Sequence, residues 1–168
     1  MIWPLFVFLT IFSSLSEAVV NGVTGTSFNL TARTGYVSTP DGGSILSWGY
    51  ALDGGLMQYP GPTMIVNQGD LVTVTLNSEI GRPVSILFPG QQSVSASGGS
   101  AGLLTQESTG PADTVTYTFV ASNAGTYMYH SGTQPELQME MGLMGALIVR
   151  PVTAGQAYGH ADTAYDHE

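Results

Sequence analysis

Along most of the chain, hydrophobic and polar residues alternate with the period of a strand. Val72, Val74 and Leu76 in "LVTVTL" fall on one face, with threonines between them. Successive strand side chains point to opposite faces, so this pattern predicts a half-buried β-strand. The same reading places strands at Phe28–Val37, Ile45–Leu52, Thr63–Val66, Leu71–Asn77, Val84–Phe88, Asp113–Val120, Gly125–Ser131 and Gly142–Arg150. Turns rich in Gly, Pro and Asn separate them, notably Tyr59–Pro62 and Asn67–Asp70. No stretch keeps a helical period. About eight short strands at this spacing predict an all-β, antiparallel sandwich or barrel.

Two segments do not fit the strand pattern. Pro89–Pro111 is Gly- and Ser-rich and long for a connection, as functional or mobile loops are. The stretch after Pro151, "VTAGQAYGHADTAYDHE", has no core pattern and reads as a linker over 152–168. At the other end, Ile2–Phe12 is an apolar run too short to span a bilayer. Small residues follow, with a cleavage point after Ala18 and Ser16 three residues before the cut. Residues 1–18 are thus expected to be a secretory signal peptide, although no Lys or Arg precedes the run. The expected mature domain covers 19–151, is secreted or periplasmic, and is not membrane-bound.

Composition narrows the function classes. The 168 residues carry 12 Asp+Glu against 3 Lys+Arg, a net charge of −9. Such a surface repels phosphate backbones, which argues against nucleic acid as a partner. With 43% hydrophobic residues the chain can build a core. There is no cysteine, which excludes disulfides, thiolate catalysis and thiolate-bound metals.

Two motifs carry a family resemblance. "YPGPTMIVNQGDLVTVTLNS" (Tyr59–Ser78) resembles the opening of the first cupredoxin domain of multicopper oxidases. "GTYMYHSGTQPELQMEMGLMGALIVRP" (Gly125–Pro151) resembles that domain's closing hairpin, which delivers copper-ligating histidines. With the strands between them, the resemblance covers about Ser27 to Pro151. It implies a Greek-key cupredoxin sandwich, copper as cofactor in a full-length member, and further cupredoxin domains as partners, in cis or in an oligomer. "AYDHE" is similar to the start of a link toward a second such domain, so the chain is expected to be part of a longer oxidase.

In the family, two His-x-His pairs from this domain reach a three-copper cluster between domains. The strand period aims both imidazoles of a pair one way, and imidazole suits copper. Here the first pair falls on Leu87 and Pro89, and the second on His130 and Gly132. The resemblance thus leaves His130 as the single candidate metal ligand. The mononuclear site of related nitrite reductases fares no better, since its cysteine, histidine and methionine fall near Ser131, Gln138 and Leu143.

His130 has two readings. It is a copper ligand, shared with another domain or aided by the thioethers of Met128, Met139 and Met141, the last two alternating on one presumed strand face. Thioethers suit Cu(I). Otherwise it is a half-buried histidine bonded within the hairpin, among methionines that fill core gaps. His160 and His167 lie beside Asp162 and Asp166 in the tail, a weak metal-capturing segment or a solvated linker. Glu136 and Glu140 form a candidate carboxylate pair, or simply face solvent. Asn29-Leu30-Thr31 matches a glycosylation acceptor or is a chance match in a strand. Trp48 and Tyr50 share a strand face as core or interface residues. Two functions follow: a largely structural N-terminal module of a secreted multicopper oxidase, or a non-catalytic cupredoxin-like module for copper binding or partner contact.

Overall fold

The computed structural model describes residues 22–165. The expected signal peptide, 1–18, and His167 lie outside the described residues. Twelve strands and one helix follow in order. They are β1 (Gly22–Thr24), β2 (Ser27–Ser38), β3 (Ser44–Leu52), β4 (Met57–Gln58), β5 (Gly61–Asn67), β6 (Leu71–Ser78), β7 (Ser95–Gly98), β8 (Ser100–Ala101), β9 (Gln106–Glu107), β10 (Val115–Val120), β11 (Gly125–His130), α1 (Pro135–Met141) and β12 (Met144–Arg150).

The strands form a four-stranded sheet, β1-β5-β12-β11, and a six-stranded sheet, β4-β3-β2-β6-β10-β7, with β8-β9 as a small separate pair. Alternate residues of the two sheets fill one core: Phe28, Leu30 and Ala32 from β2, Val72, Val74 and Leu76 from β6, Val115, Tyr117 and Phe119 from β10, and Met64, Val66, Leu147 and Val149 from the smaller sheet. Burying each of the larger apolar side chains contributes about 1.5–3 kcal/mol. The core therefore dominates over the exposed Arg33–Glu79 ion pair, 2.8 Å long, because water screens such pairs.

The all-β sandwich stands, and the pairing within it is mixed. β1–β5, β5–β12 and β2–β6 run parallel. Parallel neighbours cannot be joined by a hairpin and need a crossover; here β3–β5 intervene between β2 and β6, and β6 to α1 intervene between β5 and β12. The turn at Asn67–Asp70 closes as its sequence predicts. Asp70 Oδ2 accepts the Asn67 N–H at 2.7 Å, and the Asp70 N–H returns to the Asn67 carbonyl at 3.0 Å.

Two expectations need correcting. Val84–Phe88 is not a strand in either sheet. It keeps the strand period, with Val84, Ile86 and Phe88 buried, but it is tied by isolated bridges, Val84 to Ser108 and Leu87 to His130. Pro83 and Pro89 flank it, and neither supplies the N–H a longer ladder requires. The second correction is α1, where an uninterrupted hairpin was expected. Pro135 stands in its first turn, where a missing N–H costs nothing. Gly142 ends it at φ 115°, and a Cβ there would sit 2.5 Å from both the Trp48 carbonyl oxygen and the Tyr59 ring. Only glycine satisfies both that conformation and that approach. At seven residues, α1 is too short for periodicity to reveal.

Residues 152–165 are mostly exposed and carry local structure, a Gln156–Ala164 bridge and a 3-10 turn at Ala161–Thr163.

Candidate metal centre

β11 ends at His130, and the 83–89 segment lies antiparallel beside it. The Leu87 N–H donates to the His130 carbonyl at 2.8 Å, and the His130 N–H donates to the Leu87 carbonyl at 3.2 Å. The fold thus brings together the two segments on which the family's histidine pairs lie. The His130 ring is half-buried, with Nδ1 2.9 Å from the Ser131 carbonyl oxygen. A carbonyl only accepts, so the bond places the ring proton on Nδ1 and leaves Nε2 as the coordinating atom.

What surrounds His130 does not complete a copper site. A Cβ on Gly132 would meet Leu87 Cγ at 2.8 Å and Ser85 Oγ at 3.0 Å. The space a side chain at 132 would need is therefore taken by Leu87 and Ser85. Pro89 has no coordinating side-chain atom. Among the described residues, no three His, Cys, Asp or Glu side chains gather closely enough to hold a metal ion. These residues do not fit the family's copper cluster.

The methionines do not converge either. Met139 and Met141 lie on α1, not on a strand. Residues two apart on a helix are rotated by about 200°, so the expected shared face is lost. Met128, on β11, is 43% exposed. Glu136 and Glu140, one helical turn apart, are both exposed, as is His160. Asn29 is exposed on β2, its side-chain amide donating to Asp53 Oδ1 at 3.1 Å.

Ser131, Gln138 and Leu143, at the mononuclear-site positions, do come together, and all three are fully buried. Ser131 Oγ donates to Gln138 Oε1 at 2.7 Å, and Gln138 Nε2 donates to the Pro83 carbonyl at 2.9 Å. Ser131 Oγ also accepts the Thr133 N–H at 3.1 Å, while the Ser131 N–H donates to the Leu143 carbonyl at 3.0 Å. A second chain runs beside it. Thr133 Oγ1 donates to Glu107 Oε1 at 2.8 Å, so Ser85 Oγ is the donor in its 2.9 Å contact with Thr133 Oγ1. Sequence reading missed this network. Its signal in the sequence was the polar residues Ser131 and Gln138 at two of the positions where the resemblance puts metal ligands.

Buried tyrosines hold the 83–89 segment from beneath. Tyr117 Oη donates to the Gln106 carbonyl at 2.7 Å and accepts the Ile86 N–H at 3.1 Å. Tyr129 Oη donates to the Pro62 carbonyl at 2.7 Å. Burial pushes both hydroxyls, and that of Tyr50, far up from the ordinary tyrosine range. They stay neutral and serve as structural donors. Phe88 packs among them, 4.8 Å from the Phe119 ring centroid. An open apolar groove of about 320 Å³ lies alongside, lined by Ile86, Leu87, Phe88, Pro89, Val94, Leu104 and Thr105.

The two-sheet sandwich and its paired end segments define a cupredoxin-type domain. A family model described as multicopper oxidase matches residues 53–154, more than half of the chain. The chain belongs to the multicopper oxidase family. It is 38% identical over 97 residues to an L-ascorbate oxidase of Cucumis sativus, covering 56% of this chain and 16% of that protein. It is 34% identical over 137 residues to copper resistance protein A of Escherichia coli, covering 82% of this chain and 21% of that one. Among solved structures, the copper nitrite reductase of Nitrosomonas europaea superposes with a TM-score of 0.61 at 28% identity, covering 79% of this chain and 43% of that one. A multi-copper oxidase of Pseudomonas thermotolerans gives 0.64 at 24% identity, covering 80% and 31%, which speaks for the fold alone. The chain thus spans a small part of the relatives it matches. No helix among the described residues is long and apolar enough to cross a membrane.

Proposed function

We propose that this chain serves as the first cupredoxin module of a secreted or periplasmic multicopper oxidase, and that its role there is mainly structural. It forms one wall of a site between domains and offers His130 Nε2 as its single imidazole. Its partners in this reading are further cupredoxin domains, in cis or in an oligomer. The observation that carries the proposal is the pairing of Leu87 with His130. The family's two ligand segments are in place, yet one imidazole remains where four are usual. Oxygen reduction to water takes four electrons, which the chain alone has no set of coppers to store. The apolar groove beside Leu87 and Pro89 is the surface a neighbouring domain would cover.

The runner-up is a non-catalytic cupredoxin-like module acting in copper binding or partner contact. The absence of a three-ligand cluster among the described residues keeps it in play, because such a module has no need of one. Sequencing the locus beyond the codon for Glu168 separates the two. The oxidase reading requires a His-Cys-His segment in the same frame or in an adjacent gene; a locus without one leaves the binding module. Oxygen uptake by the isolated chain with a phenolic donor should not exceed that of free copper.

A further inference from the structure

We infer that Ser131 and Gln138 form a metal-independent tie at the mononuclear-site position, so that this end of the domain is fully held without copper. Leu143 completes the position. The argument begins with burial. All three residues are withdrawn from solvent, and an unpaired polar group there is costly. Both functional ends of the Gln138 amide are used: Oε1 accepts from Ser131 Oγ at 2.7 Å, and Nε2 donates to the Pro83 carbonyl at 2.9 Å. Through that one side chain, α1 is joined to the residue after β11 and to the 83–89 segment. A metal ion held from 131, 138 and 143 would join the end of β11, α1 and the start of β12, whereas the Gln138 amide also reaches the 83–89 segment through Pro83.

The backbone reinforces the tie. The Leu143 N–H donates to the Gln138 carbonyl, and the Ser131 N–H to the Leu143 carbonyl, so the helix end and the start of β12 are fixed to the same spot. The parallel chain Ser85–Thr133–Glu107 brings in β9. Ser131, Gln138 and Leu143 leave no cluster of metal-binding groups, and Ser131 and Gln138 satisfy each other instead. Polar replacement of a buried position is stable only when the partners match in this way. This inference stands apart from the oxidase proposal, since a copper-free tie suits either functional reading.

The test is a double-mutant cycle on the full chain, read by denaturant unfolding. Gln138→Leu removes both amide bonds and strands the Pro83 carbonyl, so the folding equilibrium constant should fall by about tenfold or more. Ser131→Ala should also destabilise. The double variant should lose less than the product of the two single losses, because each single change strands the other's partner. A neutral Gln138→Leu, or strictly multiplicative losses, would overturn the tie. Should the variants fail to fold, the wild-type chain still decides. Its unfolding midpoint should be the same in EDTA as with one equivalent of copper. A midpoint raised by copper and lowered by EDTA, to the same extent in wild type and in His130→Ala, would mean that the position is held by metal.

Discussion

The two groups of positions that the family resemblance aligns with metal ligands lie side by side yet are closed in different ways. At Leu87, Pro89 and Gly132 the fill is apolar and half-open, with the leucine side chain lying over the glycine and the groove beside it exposed to water. At Ser131, Gln138 and Leu143 all three side chains are fully buried, and the two polar ones are hydrogen-bonded, Ser131 to Gln138 and Gln138 to the Pro83 carbonyl. Burial explains the difference. At the edge, the part-buried Leu87 leaves no stranded dipole, because its own N–H and carbonyl are both paired with His130 and its side chain has no polar atom. In the interior every polar atom needs a partner, so a serine or glutamine there persists only as a matched pair. The two sets of positions are therefore filled in ways with different energetic consequences.

The contrast can be broken first at Leu143. Leu143→Ala should cost about 2–5 kcal/mol by urea unfolding, since a fully buried leucine has no room to collapse around. The half-exposed Leu87→Ala should cost clearly less. Equal losses at both positions would mean that they are equally buried in solution and that the contrast is wrong.

Gly132→Ala should come next, at about 1–2 kcal/mol, because its Cβ would press on Leu87 Cγ. Adding Leu87→Ala should recover part of that loss in the same assay, which a purely local backbone effect would not allow.

The smallest effect lies outside both positions and serves as a control. The Arg33 guanidinium donates to both Glu79 carboxylate oxygens, at 2.8 and 2.9 Å, and this bonding lowers the Glu79 pKa from its ordinary value. A carboxylate depressed in the folded state contributes stability above its unfolded pKa, and the contribution is lost as pH falls through the folded one. The melting-temperature gap between wild type and Glu79→Gln should thus be present at neutral pH and shrink below about pH 4. A gap that widens in acid would contradict that sign.

Much of the fold was legible because period-2 burial leaves a direct trace. Val72, Val74 and Leu76 were read as one face and are all fully buried. The helix was not legible. Seven residues make about two turns, and the strand pattern took Gly142, which ends the helix, as the first residue of a strand. The short strands β7, β8 and β9 lay hidden in the Gly- and Ser-rich stretch 89–111, where backbone pairing rather than side-chain pattern forms them. At the site, the motif singled out His130, Leu87 and Gly132, and the structure sets Leu87 beside His130 and Gly132. The Ser131–Gln138 bond did not, because a strand register gave no reason for residues seven apart to meet. Only α1 folds them together.

The central claim is that this cupredoxin domain keeps its family's scaffold with no three-ligand metal cluster among its described residues. Copper retained per chain after loading and dialysis against a chelator tests it most directly, by elemental analysis of wild type and His130→Ala in parallel. The account predicts well under one copper per chain in both. One tightly held copper per wild-type chain, lost in His130→Ala, would contradict it.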